Sequence, residues 1–147
     1  MTCIFFGHKN IQGLDTGALQ RAIEALIENN VDTFYVGHQG DFDRMVIACL
    51  EELSKRYPHV TYTVVLAQLP TQREEIDRYR GHSLYPEGQE YAPPKFAVDR
   101  RDRWMIQKGL GGYCLCFVHH TWGGAYQFAE LAKKKGLRVI NLGTAKL

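Results

Sequence analysis

Three groups of residues in this chain have types and spacings that could do chemistry. The first is the glycine pair that opens GGAYQFAELAKKK, Gly123–Lys135. It follows the apolar run Tyr113–His119 and precedes a second, Arg138–Leu142, an order that reads as strand, turn, helix, strand. Glycines let the backbone pass close to a ligand, and the helix N-terminus behind them offers free N–H groups and the positive end of a dipole. Gly123, Gly124 and Ala125 are therefore candidate contacts for an anion, with phosphate the usual occupant. The second group is VGHQGDFD, Val36–Asp43, where Gly37 and Gly40 bracket another strand-to-helix turn. Its backbone could contact a phosphate or ribose, with Asp43 alongside. The plainer reading is that Asp41 caps the helix and Asp43 favours its dipole. The third group is RRDRWM, Arg100–Met105. Arg101 and Met105 are four apart and share a helix face, and a guanidinium suits bidentate recognition of phosphate. Arg100 and Arg103 read as a solvated basic face, and Trp104 as a core or interface anchor.

Other residues add to this set. Gly7 and His8 follow the first apolar run, at the end where a ligand would lie. His119 and His120 adjoin the last glycine turn. Glu130 sits one to two turns into the following helix, where pairing with Lys134 at i+4 is the simpler account. Lys133–Lys135 suits the last turn of a helix ended by Gly136. No Cys, His or Asp spacing matches a closed zinc site, so no metal is expected. Cys114 and Cys116 alternate along one strand face, a pattern of packing more than of redox chemistry.

The elements that must position these residues alternate. Thr2–Gly7 reads as a buried strand and His8–Gly13 as loop. Asp15 or Thr16 can cap a helix over Ala18–Asn29. Thr33–Gly37 is a second strand, Asp41–Tyr57 a second helix closed by Pro58, and Val60–Leu66 a β-branched third strand. Residues 68–95 break the pattern with six prolines and glycines from Pro70 to Pro94, and read as a short helix near Gln72–Tyr79 followed by a long irregular insertion. Phe96–Lys108 is a helix, Tyr113–Val118 the fourth strand and Arg138–Leu142 the fifth. The expectation is one α/β domain over 1–147: a three-layer Rossmann-like fold with a mostly parallel sheet of about five strands and helices on both faces. In such sheets ligands bind beyond the carboxyl ends of the strands, where Gly7, Gly37, Gly40, Gly123 and Gly124 all fall.

Composition bounds the function. The chain has 147 residues, 45% hydrophobic and 23% charged, which suits a globular domain with a sizeable core. A formal net charge of +2 argues against nucleic acid as a partner. No apolar run has the length of a membrane span, and the N-terminus lacks the pattern of a signal peptide. The four cysteines sit among apolar neighbours and read as reduced residues of a cytoplasmic protein.

Taken together, FFGHK at Phe5–Lys9, FYVGHQGDFD at Phe34–Asp43, Tyr57–Pro58, LPTQ at Leu69–Gln72, RDRWM at Arg101–Met105 and the stretch from Gly123 to Leu142 resemble the SLOG superfamily of Rossmann-like domains. Within it they look like the small bacterial YpsA-like proteins. The superfamily also holds Lonely Guy-type phosphoribohydrolases and the DNA-processing protein A. The resemblance implies a nucleotide or nucleotide-derived small-molecule ligand, no further cofactor, and self-association as a homodimer or higher homo-oligomer. For the phosphoribohydrolases it implies a role in glycosidic-bond cleavage for residues at Arg101 and Glu130, with Met105 at the matching helix position. Their proline-led turn is altered here: Trp122 stands in place of the proline, and Tyr126 and Gln127 replace a glycine step and a threonine, so that Tyr126 would crowd a phosphate loop. The leading expectation is thus binding or sensing of the ligand. Phosphoribohydrolase activity on nucleoside monophosphates comes second, and single-stranded nucleic-acid binding, motivated by eight tyrosines and local basic clusters, third.

Overall fold

The computed structural model describes residues 1–147. Six parallel strands form one sheet: β1 (Thr2–Gly7), β2 (Thr33–Val36), β3 (Thr61–Val65), β4 (Ser83–Leu84), β5 (Tyr113–Phe117) and β6 (Arg138–Asn141). They are connected through α1 (Thr16–Glu28), α2 (Gly40–Arg56), α3 (Arg73–Arg78), α4 (Ala97–Lys108) and α5 (Gly124–Lys134). The strand order is β4-β3-β2-β1-β5-β6.

Every central strand is apolar on both sides, as a parallel sheet covered by helices requires. Alternation along β1 sends Cys3 and Phe5 to one face and Ile4 and Phe6 to the other. On the first face they meet Leu19, Ile23, Leu26 and Ile27 of α1 and Val46, Ile47, Leu50 and Leu53 of α2. On the second they meet Met105 and Ile106 of α4 and Phe128, Ala129 and Ala132 of α5. Leu115 and Phe117 of β5 join the first layer, whereas Cys114, Cys116 and Val118 join the second. All four cysteines are free and buried. Phe5, Phe34, Phe42 and Phe117 are among the largest fully buried side chains. Each contributes roughly 1.5–3 kcal/mol by leaving water.

Local signals account for most boundaries. Asp15 caps α1 by accepting the Gly17 N–H at 3.1 Å. Asn30, in the left-handed region at φ 71°, turns the chain out of it. Tyr57, just before Pro58, closes α2. Two features differ from the sequence expectation. The sheet has a sixth strand, and it lies inside the segment that reads as irregular. Ser83–Leu84 pairs in parallel with Val64–Val65, and Val64 and Leu66 donate their N–H groups to the carbonyls of His82 and Leu84. A two-residue edge strand is too short to show any periodicity. The other feature is that α2 begins at Gly40 with Gln39 at its cap, one residue before the expected Asp41.

The chain lays down β1 to β4 in one direction, crosses back through α4, and adds β5 on the other side of β1. The order reverses between β1 and β5, so the connections from these neighbours diverge and leave a crevice at their carboxyl ends. No helix is long and apolar enough to cross a membrane.

Candidate functional site

A cavity of about 430 Å³ occupies this crevice. Gly7, His8, Lys9 and Asn10 line it after β1, Gly37, Gln39 and Asp43 after β2, Val98, Asp99, Arg101 and Asp102 on α4, and His120 with Trp122–Ala125 after β5. The fold thus brings together Gly7, His8, Gly37, Asp43, Arg101, Gly123, Gly124 and Ala125 from among the sequence candidates. Gly40 stands just behind Lys9. Met105 and Glu130 are not in the lining. Met105 is one helical turn beyond Arg101 on the same face, and that turn carries it under the sheet, where it is buried with Ile4, Phe6 and the β5 cysteines. Glu130 is half-buried on α5, one to two turns past the end of the helix that meets the cavity.

Arg101 is the organising side chain. It is 2% exposed. Its Nη1 donates to the Val65 carbonyl at the end of β3 at 2.9 Å, and its Nε to Asp102 Oδ1 at 2.7 Å. The guanidinium lies against Gly37, where a Cβ would sit 2.7 Å from Nη1 and 2.9 Å from Nη2. Glycine is needed there for this close approach. With Nε and Nη1 engaged, Nη2 has no hydrogen-bond partner in the protein. A buried guanidinium with a free N–H pair in a cavity wall is a donor awaiting an acceptor.

Acidic groups surround this cation. The Asp43 carboxylate accepts the Gln39 N–H at 2.7 Å, tying the first turn of α2 to the residue before it. Burial pushes its pKa up to about 7, against the opposing pull of the Arg101 charge. Burial likewise raises that of Asp102, with Arg101 again opposing. Nearby His38 accepts the Ala67 N–H on Nε2 at 3.4 Å and turns Nδ1 to Glu75 at 3.2 Å, so Nδ1 carries the proton. Burial lowers its pKa, and the charge of Arg101 reinforces this against the hydrogen bond to Glu75. Gln89, 1% exposed, ties the 85–97 connection down by donating to the carbonyls of Ala67 and Ala97.

The opposite wall is the start of α5. Gly123 holds φ +89°, no side chain caps the helix, and its first turn contains no acidic residue. The first intrahelical N–H to find a partner is that of Gln127, on the Gly123 carbonyl. The donors of Gly124, Ala125 and Tyr126 are left unused. Tyr126 does not crowd them, because its ring packs half-buried against the second apolar layer, away from the cavity.

At the rim three rings are stacked. His8 lies over His120 with centroids 3.9 Å apart, and His120 over Trp122 at 3.6 Å and 12°. His8 Nε2 accepts the His119 N–H at 2.9 Å, and His120 Nδ1 donates to the Trp122 carbonyl at 2.9 Å. Burial, then the neighbouring His120 and His119, lower the pKa of His8. No three His, Cys, Asp or Glu side chains converge as a metal-binding group.

Several lining residues carried no sequence signal. Asp99 and Asp102 look like ordinary charges of a polar helix, and Trp122 stands out only as the residue in place of a proline, with no role of its own. Only the proximity of Asp102 to Arg101 hinted at a paired, buried ion. Compared with known proteins, the chain matches no family model and no curated protein.

Proposed function

We propose that this protein binds a nucleotide or nucleotide-derived ligand in the cleft between β1 and β5. The observation that carries the reading is a matched pair of unused donors across one cavity: Arg101 Nη2 on one wall and the first N–H groups of α5 on the other. Together they favour a dianionic phosphate, the helix terminus through its dipole and the guanidinium through charge-assisted hydrogen bonds. Lys9 adds a second cation to the lining. The carboxylates of Asp43 and Asp99 supply acceptors for hydroxyl groups, which is the complement of a ribose. The cavity volume falls within the usual range for small-molecule sites. The resemblance to the SLOG superfamily points the same way.

Binding is favoured over glycosidic cleavage because Glu130, the residue that cleavage would use, lies outside the cavity lining. The test is thermal unfolding with millimolar adenosine, guanosine, cytidine and uridine monophosphates and the matching triphosphates. A ligand present at about 100 times its Kd stabilises the native state by about 2.7 kcal/mol. At least one nucleotide should raise Tm by several degrees, and Arg101→Ala should remove the shift. A flat response across the panel overturns the reading.

A further inference from the structure

The stack at the rim has an unused face. Trp122 is covered on one side by His120 and is nevertheless 67% exposed. An indole in that state leaves a large apolar surface in water, directly beside the glycine turn that opens α5. Its orientation is not left to chance. His120 holds the Trp122 carbonyl through Nδ1, its ring supports the indole from beneath, and His8 supports His120 in turn. His8 is itself fixed by the His119 N–H and by an edge contact with Phe117 of the core. Three stacked rings, anchored at the bottom against Phe117 of β5, set the orientation of the top ring.

We propose that the open face of Trp122 is a stacking platform for the base of the ligand, and that it selects nucleotides with a large planar base, purines over pyrimidines. The inference rests on the nucleotide reading of the cleft and adds the part of the ligand that reading leaves unspecified. A phosphate held between Arg101 and the N–H groups of Gly124 and Ala125 leaves the sugar inside the cavity, which Asp43 and Asp99 also line. The base then leaves at the rim, where Trp122 stands one residue before the phosphate turn. Aromatic stacking tolerates any base but grows with overlapping area, which is why a bicyclic base gains most on an indole. Pre-positioning by His120 and His8 lowers the entropy lost on binding, since a mobile exposed side chain would have to be ordered first.

The experiment is calorimetric titration of the full chain with adenosine 5′-monophosphate, uridine 5′-monophosphate and ribose 5-phosphate. Trp122→Ala and Trp122→Phe are compared with the unmodified protein. Adenosine 5′-monophosphate should bind more tightly than either competitor. Trp122→Ala should weaken it on the order of tenfold, leave ribose 5-phosphate unchanged, and Trp122→Phe should recover most of the loss. In a Trp104→Phe background, the remaining Trp122 fluorescence should be quenched by the purine nucleotide and not by ribose 5-phosphate. If adenosine 5′-monophosphate binds no tighter than ribose 5-phosphate, or if Trp122→Ala weakens both equally, the platform is wrong while the phosphate site stands. If none of the three compounds binds, the platform falls, and the nucleotide reading falls with it when the wider panel of mono- and triphosphates is flat as well. Trp122 is exposed, so its substitution leaves the core intact, and a far-ultraviolet spectrum and Tm equal to those of the unmodified protein verify that.

Discussion

The two glycine turns that look alike in the sequence end in opposite states. After β2, the turn Gly37–Gly40 leads into a helix whose start is tied down on two sides. Asp43 reaches back to the Gln39 N–H, and the Asp41 N–H donates to the Lys9 carbonyl. After β5, the turn Gly123–Gly124 leads into a helix whose first donors meet nothing in the protein. Gly40 holds φ +86° with the Lys9 backbone pressed against it, whereas a Cβ on Gly124 would meet no atom within 4 Å. One turn is a packed joint and the other an open socket. The lesson is that strand, glycine, helix marks where a ligand can approach. Whether it does depends on what already fills the approach: at Gly40 the Lys9 backbone does, and at Gly124 nothing does.

Substitutions can break or sharpen this contrast, and the largest effect should come from the side chain that sits between the two turns. Arg101→Ala leaves Asp102 and Asp43 without their buried counter-charge. Unfolding in urea should show a loss of about 3–5 kcal/mol, the size expected when one partner of a buried pair is removed. Next comes the carboxylate that ties down the α2 turn. The pKa of Asp43 is raised on folding from 3.8 to about 7. The stability it allows is therefore complete below about pH 4 and declines as pH rises through 7. Each tenfold difference in proton affinity between the folded and unfolded chain is worth about 1.36 kcal/mol, so the decline amounts to at most about 4 kcal/mol. Asp43→Asn keeps an acceptor for Gln39 and removes the titration. Denaturation curves between pH 4 and pH 8 should fall for the unmodified protein and be flatter for the variant. Equal slopes would show that Asp43 is solvated and the α2 turn open to water.

Smaller effects distinguish the joint from the socket directly. Gly40→Ala must carry a Cβ at positive φ and push it to 2.8 Å from Lys9 Cα. It should lower stability by about 1–3 kcal/mol in the same assay. Gly124→Ala adds a methyl into open space at the first position of a helix. It should be neutral or stabilise by up to about 1 kcal/mol, yet weaken nucleotide binding several-fold by narrowing the anion's approach. If instead Gly124→Ala destabilises and Gly40→Ala does not, the roles of the two turns are reversed.

Much of the fold was legible because its signals are local or periodic. Apolar runs that stop at Gly7 and Gly37, the helical spacing of Leu19, Ile23, Leu26 and Ile27, the Asp15 cap and the proline after Tyr57 all act within a few residues. They specify a covered parallel sheet without help from distant contacts. The strand Ser83–Leu84 carries no such signal, because two residues have no period and their pairing depends on β3 presenting an open edge. The candidate site was half legible for a related reason. Glycines at strand ends mark the carboxyl edge of any such sheet. Their gathering around one cavity needs the strand order, which is set by α4 crossing back to place β5 beside β1.

Residue types and local spacing determined the alternating elements, the buried strands and the set of glycine turns from which a ligand site could be chosen. Tertiary structure alone decided the rest. It turned Met105 into core while keeping Arg101, one turn away, at the cavity with a free nitrogen. It tied Asp43 to the Gln39 N–H, left the start of α5 open, and piled His8, His120 and Trp122 into a single stack. These outcomes depend on which groups, distant in sequence, reach a backbone donor or a ring face first. That competition is settled by packing and burial in three dimensions, and no short stretch of sequence contains both competitors.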